Sequence, residues 1–287
     1  QINSSYNFTS GTSFAAPHVS GAAALLLQKN PELENHEIKS LLLTTVKPVS
    51  DAYGQKFSLH ESGSGRLDIA NAYNAKLIIS PTNFVINLSK DQPSIEEQLE
   101  LKLIEGNLEK IDVRFEGPKF IEFTHDIKNN NLQIGLNIIE EKYGEHEGKI
   151  FINHDKIQYT IPMLIHHTEG SISLIQENEK LFFEINHPDG WSFAKITITN
   201  SKNGNSDTIS TTPDKKTSLE IYENGEYWVD AKIKINGNTS DAFNTIKINS
   251  LSEKIEKSEL RDIPEKQIIL IVSIIVIIGI VGLIIRK

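Results

Sequence analysis

The residue of this chain best suited to covalent chemistry is Ser13, in the run Gly11-Thr12-Ser13-Phe14-Ala15-Ala16-Pro17-His18-Val19-Ser20-Gly21. Gly11 lets the backbone turn tightly beside a bound molecule, and Ser13 stands where an apolar helical run begins. The first N–H groups of a helix have no intrahelical partner, so Pro17 is expected to be tolerated in the opening turn, and the positive helix end favours a developing oxyanion. That is the equipment of a nucleophile in acyl transfer, and it still needs a base. His18 is no candidate, because five positions along a helix rotate it by roughly 140° from Ser13. The chain has no cysteine, which excludes a disulfide framework, a thiolate zinc site and a cysteine nucleophile. The other eight histidines form no His-Glu-x-x-His pattern, and the adjacent His166-His167 reads as a surface or linker pair.

The eleven-residue run resembles the nucleophile motif of subtilisin-like serine proteases (subtilases, peptidase family S8). The stretches after it are similar to that family too: Asn30-Pro31-Glu32-Leu33, then Glu37-Ile38-Lys39-Ser40-Leu41-Leu42, then Gly63-Ser64-Gly65-Arg66-Leu67-Asp68 with Ala72. The resemblance covers about the first 75 residues. It implies that Ser13 is the nucleophile, that its backbone N–H is part of the oxyanion hole, and that the substrates are proteins or peptides. It also implies an aspartate, a histidine and an oxyanion-hole asparagine far upstream of the serine. With twelve residues before Ser13 none of these three is in the chain, which opens with Gln1. The expectation is therefore a C-terminal fragment of a serine endopeptidase, inactive alone. The alternative is a non-catalytic, membrane-anchored surface or adhesion protein with a degenerate protease segment. No cofactor is implied. Calcium occurs in many members of the family, but no acidic loop here has defensible ligand spacing.

The elements that must hold Ser13 follow from periodicity. Ala22-Ala23-Ala24-Leu25-Leu26-Leu27 has no polar face, so the helix after Ser13 is expected to be buried all round. Ile38, Leu41 and Leu42 recur at helical spacing, with Glu34 or Asn35 as the cap of that second helix. From about Leu77 the period becomes two, in Leu99-Leu101-Leu103, Ile111-Val113-Phe115, Leu132-Ile134-Leu136-Ile138 and Ile157-Tyr159-Ile161. It continues in Leu181-Phe183-Ile185, Ile196-Ile198, Leu219-Ile221 and Tyr227 to Ile235.

The expected fold class is multidomain: the C-terminal helical part of an α/β subtilisin-like catalytic domain, two antiparallel β-sandwich (fibronectin-like) domains and a single transmembrane helix. The expected boundaries are 1–76, 77–168 and 169–250, then a charged stalk at 251–266 and a span with a basic tail at 267–287. His166-His167-Thr168-Glu169-Gly170 is the expected hinge. The first sandwich resembles those that follow subtilisin-type domains, through Tyr143 to Ile150 and Tyr159 to Pro162.

Ile268 to Ile285 is eighteen residues without a charge. As a helix it would reach about 27 Å, close to the hydrocarbon thickness of a bilayer. Lipid is thus an expected partner, with Arg286 and Lys287 placing the C-terminus in the cytoplasm and residues 1–266 outside. The net charge of -9 with interspersed basic residues excludes a general nucleic-acid surface. Acceptor sequons stand at Asn3, Asn7, Asn87 and Asn238.

Overall fold

The computed structural model describes residues 10–108 and 111–249. Its architecture is predominantly β. Two four-stranded sheets are built from residues 77–168, and a three-stranded and a four-stranded sheet from residues 171–248.

The first pair of sheets contains β1 (Leu77–Ser80), β2 (Phe84–Ser89), β3 (Ser94–Leu103), β4 (Asp112–Glu116), β5 (Ile121–Lys128), β6 (Asn131–Ile138), β7 (Gly144–His154) and β8 (Ile157–Thr168). One sheet runs β1-β3-β6-β5, the other β2-β8-β7-β4. Alternate residues of a strand share a face. Leu99 and Leu101 of β3, with Leu132, Ile134 and Leu136 of β6, therefore meet Ile150 and Ile152 of β7 and Ile161, Met163 and Ile165 of β8 in one apolar core. The pairing is not wholly antiparallel as expected: β2 runs parallel to β8, from Phe84 opposite Met163 to Ser89 opposite Thr168.

The second pair contains β9 (Ser171–Glu177), β10 (Lys180–Asn186), β11 (Phe193–Asn200), β12 (Ser206–Thr211), β13 (Thr217–Glu220), β14 (Gly225–Ile235) and β15 (Asn238–Ile248). The orders are β13-β10-β9 and β12-β11-β14-β15. Val229, Ala231 and Ile233 of β14 are buried with Ala194, Ile196 and Ile198 of β11 and with Leu181 and Ile172 from the other sheet. Three hairpins turn on two residues with positive φ, namely Asn129-Asn130, Asp155-Lys156 and Asn236-Gly237. That is the backbone of a type I′ turn, whose twist suits antiparallel strands.

Four helices precede the strands: α1 (Thr12–Lys29), α2 (Asn35–Thr44), α3 (Leu59–Ser62) and α4 (Ile69–Asn74). Here the expected fold class is corrected. Residues 10–76 make no sheet of an α/β domain; their only strand-like pairings are the bridges Lys47–Arg66 and Ser50–Lys56. The helices are instead an attachment of the first sandwich, because Ala22, Leu26, Ile38 and Leu41 join the same apolar cluster as Leu77, Ile79 and Tyr159.

Helix α1 is not buried all round. Ala22 and Leu26 are its buried residues, while Phe14, Val19, Leu25 and Leu27 are exposed. Apolar composition measures what a helix could bury, whereas burial depends on what covers it. Among the described residues, α1 meets α2 and α4 along one stripe only.

Among the described residues no helix is long and apolar enough to cross a membrane. The single transmembrane helix of the expected fold class is thus no part of the described architecture. Its segment Ile268–Ile285, the stalk 251–266, Asn3 and Asn7 all lie outside the described residues.

Candidate functional site

Ser13 is the second residue of α1 and is exposed. Gly11 occupies the cap position with φ of 157°, a conformation that side chains rarely adopt, and its carbonyl accepts from Phe14 N at 3.0 Å and Ala15 N at 3.3 Å. The N–H groups of Thr12 and Ser13 precede the first possible intrahelical bond, so the positive end of the helix lies at the serine. Among the described residues the Ser13 hydroxyl has no hydrogen-bond partner.

Pro17 departs from expectation. It is the sixth residue of α1 rather than a member of its opening turn. A helical residue there would donate its N–H to the carbonyl four positions back, which is that of Ser13, and proline has none to donate. The ring therefore acts on the peptide unit of Ser13 itself.

His18 turns away from Ser13, as its helical position requires: Nδ1 lies 2.7 Å from the Phe14 carbonyl oxygen and is the donor of that bond. At the other end of α1, the Lys29 ammonium donates to the Tyr73 carbonyl of α4 at 2.6 Å and sits 4.7 Å from the centre of the Tyr73 ring.

The remaining quoted motifs position α1 through α2 and α4. Glu34 caps α2 with a reciprocal capping box, the Glu37 carboxylate accepting the Glu34 N–H at 2.9 Å. Gly65 has φ of 136°, and a Cβ there would lie 2.6 Å from the Lys47 carbonyl oxygen. Only glycine lets this backbone pass so close, which sets up the paired bonds between Lys47 and Arg66 at 2.8 and 2.9 Å. Asp68 then caps α4 by accepting from Asn71 N at 3.1 Å and pairs with the Lys47 ammonium at 2.6 Å. The ammonium bond outweighs burial and holds the Asp68 carboxyl below the usual carboxylate range.

The histidine pair 166–167 is neither a surface nor a linker pair. Both residues lie in β8, and His167 is buried, with Nδ1 donating to the Lys142 carbonyl at 2.9 Å. The sequence reading also missed a carboxylate shared by histidines: Glu145 lies 2.7 Å from His60 Nε2 and 3.9 Å from His166 Nδ1. His60 is on α3, 85 residues from Glu145 in sequence, and no local pattern announces such a pair. Among the described residues no group of three histidines and carboxylates is arranged to hold a metal ion. Clefts of about 490, 490 and 510 Å³ lie on or beside the sandwiches, and Ser13 lines none of the three.

The arrangement at the start of α1 is that of an exposed alcohol at a helix N-terminus, within a motif whose glycines and proline fix the local backbone. Residues 1–65 match the subtilase family. The segment is 37% identical over 86 residues to the subtilisin-like protease SBT1.6 of Arabidopsis thaliana, a match covering 27% of this chain and 11% of that protein. Over 160 residues the chain is 24% identical to the minor extracellular protease Vpr of Bacillus subtilis strain 168, covering 51% of this chain and 20% of that one. The chain thus spans between a tenth and a fifth of the length of these relatives. Among solved structures it is similar to the FN1-FN3 domains of chicken CNTN1, at 9% identity and a TM-score of 0.23, covering 58% of this chain and 69% of that one. It is also similar to a two-domain fibronectin type III segment of chicken tenascin, at 12% identity and a TM-score of 0.24, covering 60% and 97%. The subtilase-like segment therefore relates this chain to serine peptidases through the residues around Ser13.

Proposed function

We propose that this chain carries the nucleophile of a cell-surface serine endopeptidase of the subtilase type. The observation that carries this reading is the place of Ser13: exposed, second in α1 and inside the matched segment. In the reaction, Ser13 Oγ attacks the carbonyl carbon of a peptide bond while a histidine oriented by an aspartate takes its proton. Both partners are supplied by residues other than those of this chain. The carbonyl oxygen becomes an oxyanion that accepts from the Ser13 N–H, where the helix end stabilises it. Collapse expels the amine, which takes the proton from the histidine, and water then releases the acyl group from Oγ.

The exposed Phe14, Val19, Leu25 and Leu27 support the reading, since they leave α1 with apolar surface for the rest of a catalytic domain to cover. Among the described residues no base is hydrogen-bonded to Ser13, and this chain alone is expected to hydrolyse no peptides. The location at the cell surface rests on the uncharged run Ile268–Ile285 and the basic pair behind it.

The test is to treat the complete gene product and this chain with a fluorophosphonate probe and to assay peptide hydrolysis. Expected are labelling and hydrolysis by the complete product, loss of both in its Ser13→Ala variant, and neither in the chain alone. Undiminished hydrolysis by the Ser13→Ala variant would refute the assignment.

A further inference from the structure

Three elements far apart in sequence meet on the outer face of the sheet β2-β8-β7-β4. Glu145 of β7 and Asn87 of β2 are the register neighbours of His166 on β8. One Glu145 oxygen lies 2.7 Å from His60 Nε2 of α3 and the other 3.9 Å from His166 Nδ1. On the opposite side, Phe243 of β15 stacks on the His166 ring with centres 4.0 Å apart and planes 26° apart. Among the described residues His166 Nε2 is buried without a hydrogen-bond partner, as is the side-chain oxygen of Asn87. His166 is therefore one contact through which the second sandwich rests on the first, beside the bond that Asn186 Nδ2 donates to Asp91 Oδ2 at 2.7 Å, and one carboxylate ties it to the helical segment.

We propose that His60, Glu145 and His166 form a proton-controlled latch, in which protonation of His166 frees Phe243 and so loosens the second sandwich on the first while α3 keeps its hold on Glu145. A neutral imidazole fits beneath a phenyl ring. The imidazolium would be attracted by the ring face, but it has two N–H groups to satisfy. One faces Glu145 from 3.9 Å, beyond hydrogen-bond reach, and the other makes no hydrogen bond among the described residues. The carboxylate is already engaged by His60, so two cations would share one anion.

The charged groups acting on His166 are Glu145 from β7 and His60 from α3; β2 and β15 contribute the neutral Asn87 and Phe243. Burial lowers the proton affinity of His166 from its ordinary 6.5, against the pull of Glu145. The hydrogen bond to Glu145 raises that of His60. The signs are opposite. The contribution of neutral His166 to docking is present above pH 6.5 and is lost as pH falls through its lowered value. The His60 contribution is full below 6.5 and is lost as pH rises through its raised value. Acid thus tightens α3 on the first sandwich and loosens the second.

The absence of cysteine in the chain allows a direct test. Spin labels at Ile139→Cys and Tyr222→Cys, exposed positions on the two sandwiches, report the distance between them by pulsed electron paramagnetic resonance in the full chain. Expected is a narrow distance distribution at pH 7.5 that broadens at pH 5. His166→Gln stays narrow at pH 5. Glu145→Gln moves the broadening to lower pH, because it removes the anion that favours a charged His166, whereas loss of a merely structural contact would broaden the distribution at every pH. A wild-type distribution that ignores pH, or the same broadening in His166→Gln, overturns the proposal.

Discussion

Ser40 Oγ donates to the Ile79 carbonyl at 2.8 Å and accepts from the Ile79 N–H at 2.9 Å, so one hydroxyl of α2 stands in for the missing neighbour of an edge strand. β1 pairs with β3 on one side only, and Ile79 is fully buried. Without Ser40 both its outward backbone groups would lie in the core unpaired. Each such group costs about 1–3 kcal/mol. Ser40→Ala is expected to lower stability by about 2–4 kcal/mol. Urea unfolding with an unchanged m-value would confirm it, and a loss below about 0.5 kcal/mol, the level of an ordinary surface substitution, would contradict it.

That joint shows which features a sequence discloses. Alternation is local, so the apolar runs at 99–103, 132–138, 157–161, 181–185 and 227–235 all fall on strands. The capping box of α2 is legible for the same reason: Glu34 and Glu37 are three residues apart. Pairing depends on distant partners, and neither the parallel match of β2 with β8 nor the bond between Ser40 and Ile79 leaves a local trace. The pair His166-His167 looks like a polar break between two apolar runs. In the strand it continues the period of two, with His167 buried toward the Lys142 carbonyl and His166 outward beneath Phe243. At the site, the start of a helix at Ser13 was legible from its motif, while the exposure of α1 was not, because it depends on which elements cover the helix.

Tyr159 does for the start of β1 what Ser40 does for its middle. Its buried hydroxyl accepts from Lys76 N at 3.0 Å and Leu77 N at 3.1 Å. Burial raises its pKa, so the phenol stays protonated in the folded chain through ordinary alkaline conditions. Tyr159→Phe preserves the packing and strands both donors, for an expected loss of about 1–3 kcal/mol. Thermal unfolding of the two proteins compares them directly; equal midpoints would mean that the two N–H groups find other acceptors.

Acid should weaken the attachment of α2 through Glu37. Burial pushes its carboxyl up, but the hydrogen bond from Lys102 and that from Glu34 N–H prevail and hold it below the ordinary 4.5. The unfolded chain therefore binds this proton more readily than the folded one. The stability it confers is present above pH 4.5 and is lost as pH falls through the lower folded value. Glu37→Gln abolishes that titration. Its unfolding free energy is expected to fall less steeply than the wild type's below pH 4.5, and parallel curves would exclude Glu37 as a source of the acid sensitivity.

Pro17 offers the most direct access to the backbone around Ser13. As the sixth residue of α1 it lies past the turn in which proline is free of cost, and it leaves the Ser13 carbonyl without its helical donor. Alanine would restore the N–H and remove the ring from the preceding turn. In an exposed helix interior that exchange favours the helix by up to about 3 kcal/mol. Pro17→Ala is therefore expected to slow amide hydrogen exchange across Ser13–Gly21, with little change in the sandwiches. Val19→Ala, also exposed on α1, serves as a control for side-chain loss and leaves exchange nearly unchanged. Unaltered exchange in Pro17→Ala would mean that the chain near Ser13 gains nothing from a continuous helix, and that the proline does not set the geometry of the serine's peptide unit.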